Sequence, residues 1–248
     1  FKDQDRVYFI TDQKGEEELY KLAGETKQAI KKVMILGGSN IGRQLAEELT
    51  DQDYKVKLFE KEYEKALDIA DTLTKTLVVH GDGRNVETLE EESITVMDAF
   101  IAVTNDSETN IMASLVAKSK QVRKTIALVE NMDYFKLSHS IGINSLINKK
   151  LIAANKIFRY VRKGNVIAIT KLNNMNAELL EFVVGEKTKV CNKKIVDIDI
   201  PRGAVIGGVI RDKKGIIALG DFKLQAGDRL VMCCLPKAIK KAEKLFSK

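Results

Sequence analysis

The sequence predicts an α/β fold: a doubly wound parallel sheet followed by a second, smaller α+β domain. Three observations predict it. Short apolar runs alternate with amphipathic patterns from Lys32 onward. A glycine-rich turn, Gly37-Gly38-Ser39-Asn40-Ile41-Gly42, joins the first apolar run to the first amphipathic one. Beyond Gly164 that alternation stops, and short strand-like runs separated by turn residues replace it.

Residues 1–28 read as a strand with apolar Val7, Phe9 and Ile10, then a helix with Leu19 and Leu22. The stretch FKDQDRVYFITDQKGEEELYKLAG can be laid without a gap on LQAGDRLVMCCLPKAIKKAEKLFS at the other end. Asp5 and Arg6 then fall on Asp228 and Arg229, and Lys21 and Leu22 on Lys244 and Leu245. With no initiator methionine either, residues 1–28 are expected to be the tail of a preceding module, and the chain part of a tandem protein. A strand with an open edge and a half-buried face is unstable alone. It is expected to pair with a neighbouring chain, fold back on its own chain or stay mobile; packing in trans is favoured, because the repeat's own hairpin and helix already fill that role in cis.

The next domain is expected over residues 29–163. Its strands are read at VMIL, KVKLF, TLVV, AFIAV, TIALV and SLIN. Helical patterns lie between them at 41–50, 62–73, 86–91, 108–119 and, more weakly, 132–138. Continuous apolar runs suit strands buried on both faces, and helices supply the right-handed crossovers. The architecture is Rossmann-like, with the glycine turn after its first strand. A helix at 149–162 follows, with Leu151, Ile152, Ile157, Phe158 and Val161 on an apolar face broad enough for self-association. The second domain, 164–248, carries strands in AELLEFVVG, IPRGAVIGGVIRDKKGIIALG and DRLVMCCL, a hairpin tip at RDKKG, and a last helix at 236–246.

Composition narrows the function classes. The net charge of +6, from 41 Lys and Arg against 35 Asp and Glu, is mild and spread along the chain, concentrated only in KAIKKAEKLFSK. Nucleic acid would ask for a denser patch with interleaved aromatics, and Trp is absent. No apolar run reaches the ~18 residues of a membrane span, and the polar opening has no cleavage site, so any membrane role is expected to be peripheral. Cys191, Cys233 and Cys234 make no metal or disulfide framework and suit a reducing cytosol. His80 and His139 have no ligand spacing, and no metal site is expected.

The turn is the main chemical signal. In a dinucleotide fingerprint the first glycine makes the turn, the second admits the pyrophosphate, and the third packs helix on strand. Those places hold Gly37, Ser39 and Gly42, with Gly38 adding backbone freedom. The Ser39 hydroxyl is expected to donate to a phosphate oxygen, and the N-terminus of the helix entered through Asn40 and Ile41 to hold the anion. The second strand ends at Glu60, 18 residues past Gly42, followed by Lys61. A carboxylate there accepts from ribose hydroxyls and repels a 2′-phosphate, favouring NAD or adenosine nucleotides. Gly81-Asp82-Gly83 leaves the third strand; Asp82 reaches an adenine amine or ribose, or the triplet is simply a tight turn. Thr104, Asn105 and Asp106 line the pyrophosphate edge or cap the following helix.

Taken together, GGSNIG, the acidic end of strand two, HGDGRN, AVTNDSETNIMASLVAK and LIAANKIFRYVR resemble the Trk potassium-uptake regulatory subunits. That family is built of domains regulating potassium conductance (RCK or KTN domains). The second domain resembles its C-terminal module at Ile200, Pro201, Gly203, Arg211, Leu224, Gln225, Gly227 and Asp228. The resemblance covers essentially the whole chain. It implies a non-enzymatic cytoplasmic subunit at the inner face of the cell membrane, without membrane insertion of its own. Such subunits bind NAD(H) or adenine nucleotides, form dimers that build rings, and change the conductance of a membrane-embedded potassium channel or transporter. Two departures stand out: Ser39 replaces the middle glycine, and Arg84-Asn85 stands where the family often has Thr-Asp. Asn40, often Arg in triphosphate binders of the family, tilts the expectation toward NAD(H) over ADP or ATP.

Two other classes compete. An NAD-dependent oxidoreductase needs an acid or base beside the nicotinamide. His80 is expected on the adenine side, His139 on a later helix, and Tyr8, Tyr20 and Tyr160 outside the sheet. An NAD-sensing transcription regulator needs a helix-turn-helix, and no such helix pair flanks the sheet.

Overall fold

The computed structural model describes residues 7, 9–24, 29–131, 133–134, 142–161, 166–171 and 177–247. They divide into two compact units, Gln28–Ala153 and Phe1–Lys27 with Ala154–Lys248. The boundary expected at 163/164, where Gly164 and Asn165 punctuate the sequence, falls instead inside a helix. Gly164, Asn165 and His139 lie outside the described residues, as does most of the helix expected at 132–138.

The first element among the described residues is α1 (Gln13–Leu22), capped by Asp12, whose carboxylate accepts from the Gly15 N–H. Residues 7, 9 and 10 form no strand. The segment belongs to the same unit as the C-terminal module, and the Ile10 side chain lies over Gly207, where an added Cβ would come within 2.1 Å of it. A glycine without a side chain makes the seat that Ile10 takes. Phe9 and Leu22 stay 63% and 82% exposed.

The first unit then runs β1 (Lys32–Leu36), α2 (Asn40–Asp51), β2 (Lys55–Glu60), α3 (Tyr63–Thr72), β3 (Leu77–His80), α4 (Val86–Glu91), β4 (Ala99–Ala102), α5 (Ser107–Ser119), β5 (Lys124–Leu128) and β6 (Ser145–Ile147). A helix α6 (Lys149–Val161) follows and crosses the unit boundary. The six strands form a parallel sheet in the order β3-β2-β1-β4-β5-β6. Side chains alternate across each strand. Met34, Leu36, Phe59 and Phe100 pack with Leu89 of α4 and Ala113 and Ala117 of α5. Val33, Ile35, Leu58 and Ile101 pack with Ala46 of α2 and Ile69 of α3. Each fully buried Leu or Phe contributes about 1.5–3 kcal/mol. Because β1 pairs with β2 on one side and β4 on the other, the strand order reverses there, and a crevice opens at the strands' carboxyl ends.

The second unit is antiparallel: β7 (Val166–Lys171), β8 (Glu178–Val183), β9 (Ala204–Arg211), β10 (Lys214–Ile216) and β11 (Arg229–Cys234), in the order β10-β9-β11-β8-β7. The run for β7 carries no signal that the sequence reading used, and only its pairing with β8 reveals it. Asp212 and Lys213 take left-handed backbone angles at the tip of the β9–β10 hairpin, as its twist demands. Leu180, Phe182, Leu230, Met232 and Cys234 share one sheet face, covered by α7 (Pro236–Phe246) through Ile239, Ala242 and Phe246. The rings of Phe182 and Phe246 stack at 4.4 Å.

Candidate functional site

The crevice is shaped by three glycines that packing requires. Gly37 has φ +110°, a region that favours glycine, and a Cβ there would lie 2.9 Å from the Thr104 N. A Cβ on Gly38 would come within 2.3 Å of Ile69 Cδ1 and 2.7 Å of Glu60 Oε2; one on Gly42 would lie 1.9 Å from the Gly37 carbonyl oxygen. The turn therefore passes tightly from β1 into α2.

Ser39 does not play the part expected of it. Its hydroxyl donates to the Val103 carbonyl at 3.0 Å and accepts from the Gly42 N–H at 3.4 Å. The residue is the N-cap of α2, and its proton is committed inside the protein. What faces outward is the helix end itself, where the N–H groups of Asn40 and Ile41 have no intrahelical partner and carry the positive end of the helix dipole.

Glu60 ends β2, 5% exposed. Its Oε1 accepts from the Lys61 N–H at 2.8 Å and the Glu62 N–H at 3.1 Å. Its Oε2 accepts from the Gly38 N–H at 3.1 Å and pairs with Lys65 Nζ at 2.8 Å. Burial pushes this carboxyl up, but the Lys65 ammonium and the backbone donors outweigh burial and hold it below its ordinary value. Lys61 contributes chiefly backbone; its carbonyl lies 3.2 Å from His80 Nε2, and the His80 ring packs edge-on against Tyr63.

In the loop after β3, Gly81 donates to the Glu60 carbonyl, and Gly83 passes so close to Leu36 that a Cβ would lie 2.2 Å from its Cδ1. Asp82 turns toward Arg84. Its Oδ1 accepts from Arg84 Nε at 3.0 Å and its Oδ2 from Nη2 at 2.5 Å. The Arg84 contact holds the Asp82 carboxyl below its ordinary value. Its oxygens are thus engaged by the guanidinium, and it is Arg84, unassigned by the sequence reading, that stands exposed at the rim.

After β4, Asp106 caps α5 by accepting from the Thr109 N–H at 2.8 Å. Thr104 is held by buried Asn110, whose Oδ1 accepts from the Thr104 N–H at 2.9 Å and hydroxyl at 2.7 Å, while its Nδ2 donates to the Leu128 carbonyl. The sequence reading gave Asn110 no role; this joining of β4 to β5 is tertiary.

These elements enclose a cavity of about 390 Å³ lined by Gly37, Gly38, Ser39, Glu60, Lys61, Gly81, Asp82, Gly83, Thr104, Asn105 and Asp106, with Lys65, Arg84 and Thr109 besides. A second hollow of about 390 Å³ adjoins it at the α2 N-terminus, bordered by Asn40, Ile41 and Asn105 and by the cations Arg43, Lys65 and Lys149. Gly42 lines neither and works from beneath. Arg43 pairs with Asp68, and Lys149 with Glu130. Such a crevice presents N–H donors and cations to an anion and a buried carboxylate to its neighbour. Among the described residues no cluster of His, Cys, Asp or Glu is arranged to hold a metal ion, and no helix is long and apolar enough to cross a membrane.

The second unit explains the module positions read from the sequence. Asp228, 2% exposed, takes Arg211 Nε and Nη2 at 2.7 Å each and the Gln225 N–H at 2.7 Å. Arg211 also lies 4.7 Å over the Phe222 ring and donates to the Lys223 carbonyl. The pair closes the loop before β11 onto β9, with Gly203 and Gly227 at left-handed angles in the turns.

A glycine turn at the switch point of a parallel sheet, beside a strand that ends in a buried acid, places the first unit in the Rossmann-like class, here joined to a small antiparallel module. Residues 33–149 match the TrkA-N domain and residues 179–247 the TrkA-C domain. The chain thus carries a TrkA-N domain followed by a TrkA-C domain. It is 32% identical over 246 residues, 98% of its length, to the Trk system potassium uptake protein TrkA of Halomonas elongata, of which it covers 54%. The TrkA of Azorhizobium caulinodans is likewise 32% identical over 98% of the chain, with 53% of that protein covered. The chain thus spans about half the length of the curated relatives it matches. Its fold is shared with the GsuK channel bound to NAD (TM-score 0.57, 19% identity, 90% of this chain and 40% of that one) and with the GsuK RCK domain (TM-score 0.54, 17% identity, 99% and 51%).

Proposed function

We propose that the crevice binds NAD(H), and that the chain is a non-enzymatic, cytoplasmic regulatory subunit of a membrane-embedded potassium channel or transporter. The observation that carries the reading is the convergence of the α2 N-terminus and the Glu60 carboxylate on one crevice. A pyrophosphate fits the free N–H groups of Asn40 and Ile41. An adenosine ribose fits beside Glu60, with Gly81, Asp82 and Gly83 forming the wall for the base. The names of the relatives and the NAD in the GsuK channel support the same assignment. His80 faces the Lys61 carbonyl and Tyr63, which favours a sensing site over hydride chemistry.

A second reading has its own support. Neutral Asn40 argued against ADP or ATP, but Arg43, Lys65 and Lys149 bring positive charge to the same hollow from other elements. Regulation requires the nucleotide to prefer one arrangement of an assembly, with a coupling of about 1–3 kcal/mol. Self-association fits α6, where Ile152 and Ile157 are exposed, and an apolar hollow of about 440 Å³ lined by Leu45, Val103, Ile126, Leu128 and Ile147.

Calorimetry with NAD, NADH, ADP and ATP tests the assignment, with Gly42→Val as the control. A branched side chain 1.9 Å from the Gly37 carbonyl must displace the turn. NADH should bind the parent and not the variant. Equal binding by a folded Gly42→Val protein, or no binding by the parent, overturns the reading.

A further inference from the structure

A carboxylate offers about four acceptor positions. At Glu60 all four are taken, by the N–H groups of Gly38, Lys61 and Glu62 and by the Lys65 ammonium. A ribose diol therefore meets a filled acceptor. The three backbone donors are fixed by the glycine turn and by the link from β2 into α3, so none can withdraw without unmaking the site. Lys65 differs from them: it is a long side chain on α3, 34% exposed, whose ammonium can leave Glu60 without moving the backbone. It is also shared between the two hollows, bordering both the Glu60 side and the α2 N-terminus where Asn40 and Ile41 present their N–H groups.

We infer that Lys65 is a specificity-determining residue that exchanges partners on ligand binding, leaving Glu60 to the ribose hydroxyls and moving to the phosphates. The inference rests on the nucleotide reading above and deepens it. A ligand with a ribose diol but no phosphate must break the Lys65–Glu60 pair and give the ammonium nothing in return. A ligand with both diol and pyrophosphate restores a charged partner within reach of the same side chain. Lys65 thereby makes the site select 5′-phosphorylated adenosine ligands over adenosine by more than the phosphate contacts at the helix end provide. The exchange also explains a cation beside a carboxylate whose three backbone donors already satisfy most of its acceptor capacity.

The test compares adenosine, ADP and NADH on the parent and on Lys65→Met, which keeps most of the apolar stem and removes the charge. Lys65→Met should bind adenosine more tightly than the parent and ADP and NADH more weakly, shrinking the ADP-to-adenosine affinity ratio by about tenfold or more, as expected for loss of a charge-assisted contact. Lys65→Arg, which keeps the charge, should retain most of the ratio. Lys65→Gln can still donate to Glu60 and serves if the methionine variant does not fold; it should lose ADP affinity while adenosine affinity stays near the parent's. A ratio unchanged in folded Lys65→Met or Lys65→Gln, with the parent still binding ADP or NADH, overturns the inference and leaves the nucleotide reading standing. A parent that binds none of the three overturns both.

Discussion

Replacing Glu60 by glutamine probes the site through stability and binding together. An amide keeps one acceptor oxygen and puts an NH2 group where the other oxygen stood. Turned toward the Oε1 position, that NH2 would face the N–H groups of Lys61 and Glu62; turned toward Oε2, it would face the Gly38 N–H and Lys65. The second arrangement is cheaper, because Lys65 can swing into solvent. The Gly38 N–H is then orphaned in a buried place, at about 1–3 kcal/mol, and the charge-assisted bonds to the remaining oxygen weaken. A total of about 2–4 kcal/mol is expected, or roughly 10 °C in the melting of the unit Gln28–Ala153. The pH dependence has a definite sign. Glu60 is held below its ordinary value when folded, so its stabilisation is present above the unfolded glutamate pKa and is lost as pH falls through the folded one. Glutamine cannot titrate, so the gap between parent and variant should close in acid. Thermal melting at neutral pH and near pH 4, with NADH titration at neutral pH, reads both effects. A variant that melts within about 2 °C of the parent at neutral pH and binds NADH equally would refute the reasoning.

In the second unit, Asp228→Asn should cost about 3 kcal/mol in urea unfolding, since a buried carboxylate bonded to a guanidinium loses its charge while Arg211 keeps its own. Asp228 also lies below its ordinary value, burial being outweighed by Arg211 and the Gln225 N–H, so this difference too should shrink as pH drops below the carboxylate range. For assembly, Ile152→Asp with Ile157→Asp should turn oligomers into monomers in sedimentation; an unchanged mass removes α6 from the interface.

The sequence by itself determined the parallel sheet. Runs such as VMIL and AFIAV are apolar throughout, and only a strand covered on both faces uses such a run, so the pattern and its intervening helices dictate the layers. It also determined the glycine turn and the acid at the end of β2, because both are local requirements of backbone and charge. Those site positions do come together around one crevice. What each one does there was decided by tertiary structure. The proton of Ser39 goes to Val103, 64 positions away. Asn110 ties β4 to β5, and Lys65 closes on Glu60 from the next helix. Ile10 lies in no strand and rests on glycines of β9 almost 200 positions further along. Periodicity reports which face of an element is apolar, since that depends on neighbours a few residues apart. Which donor meets which acceptor depends on elements brought together only when the chain folds, and that is where the chemistry of this crevice was settled.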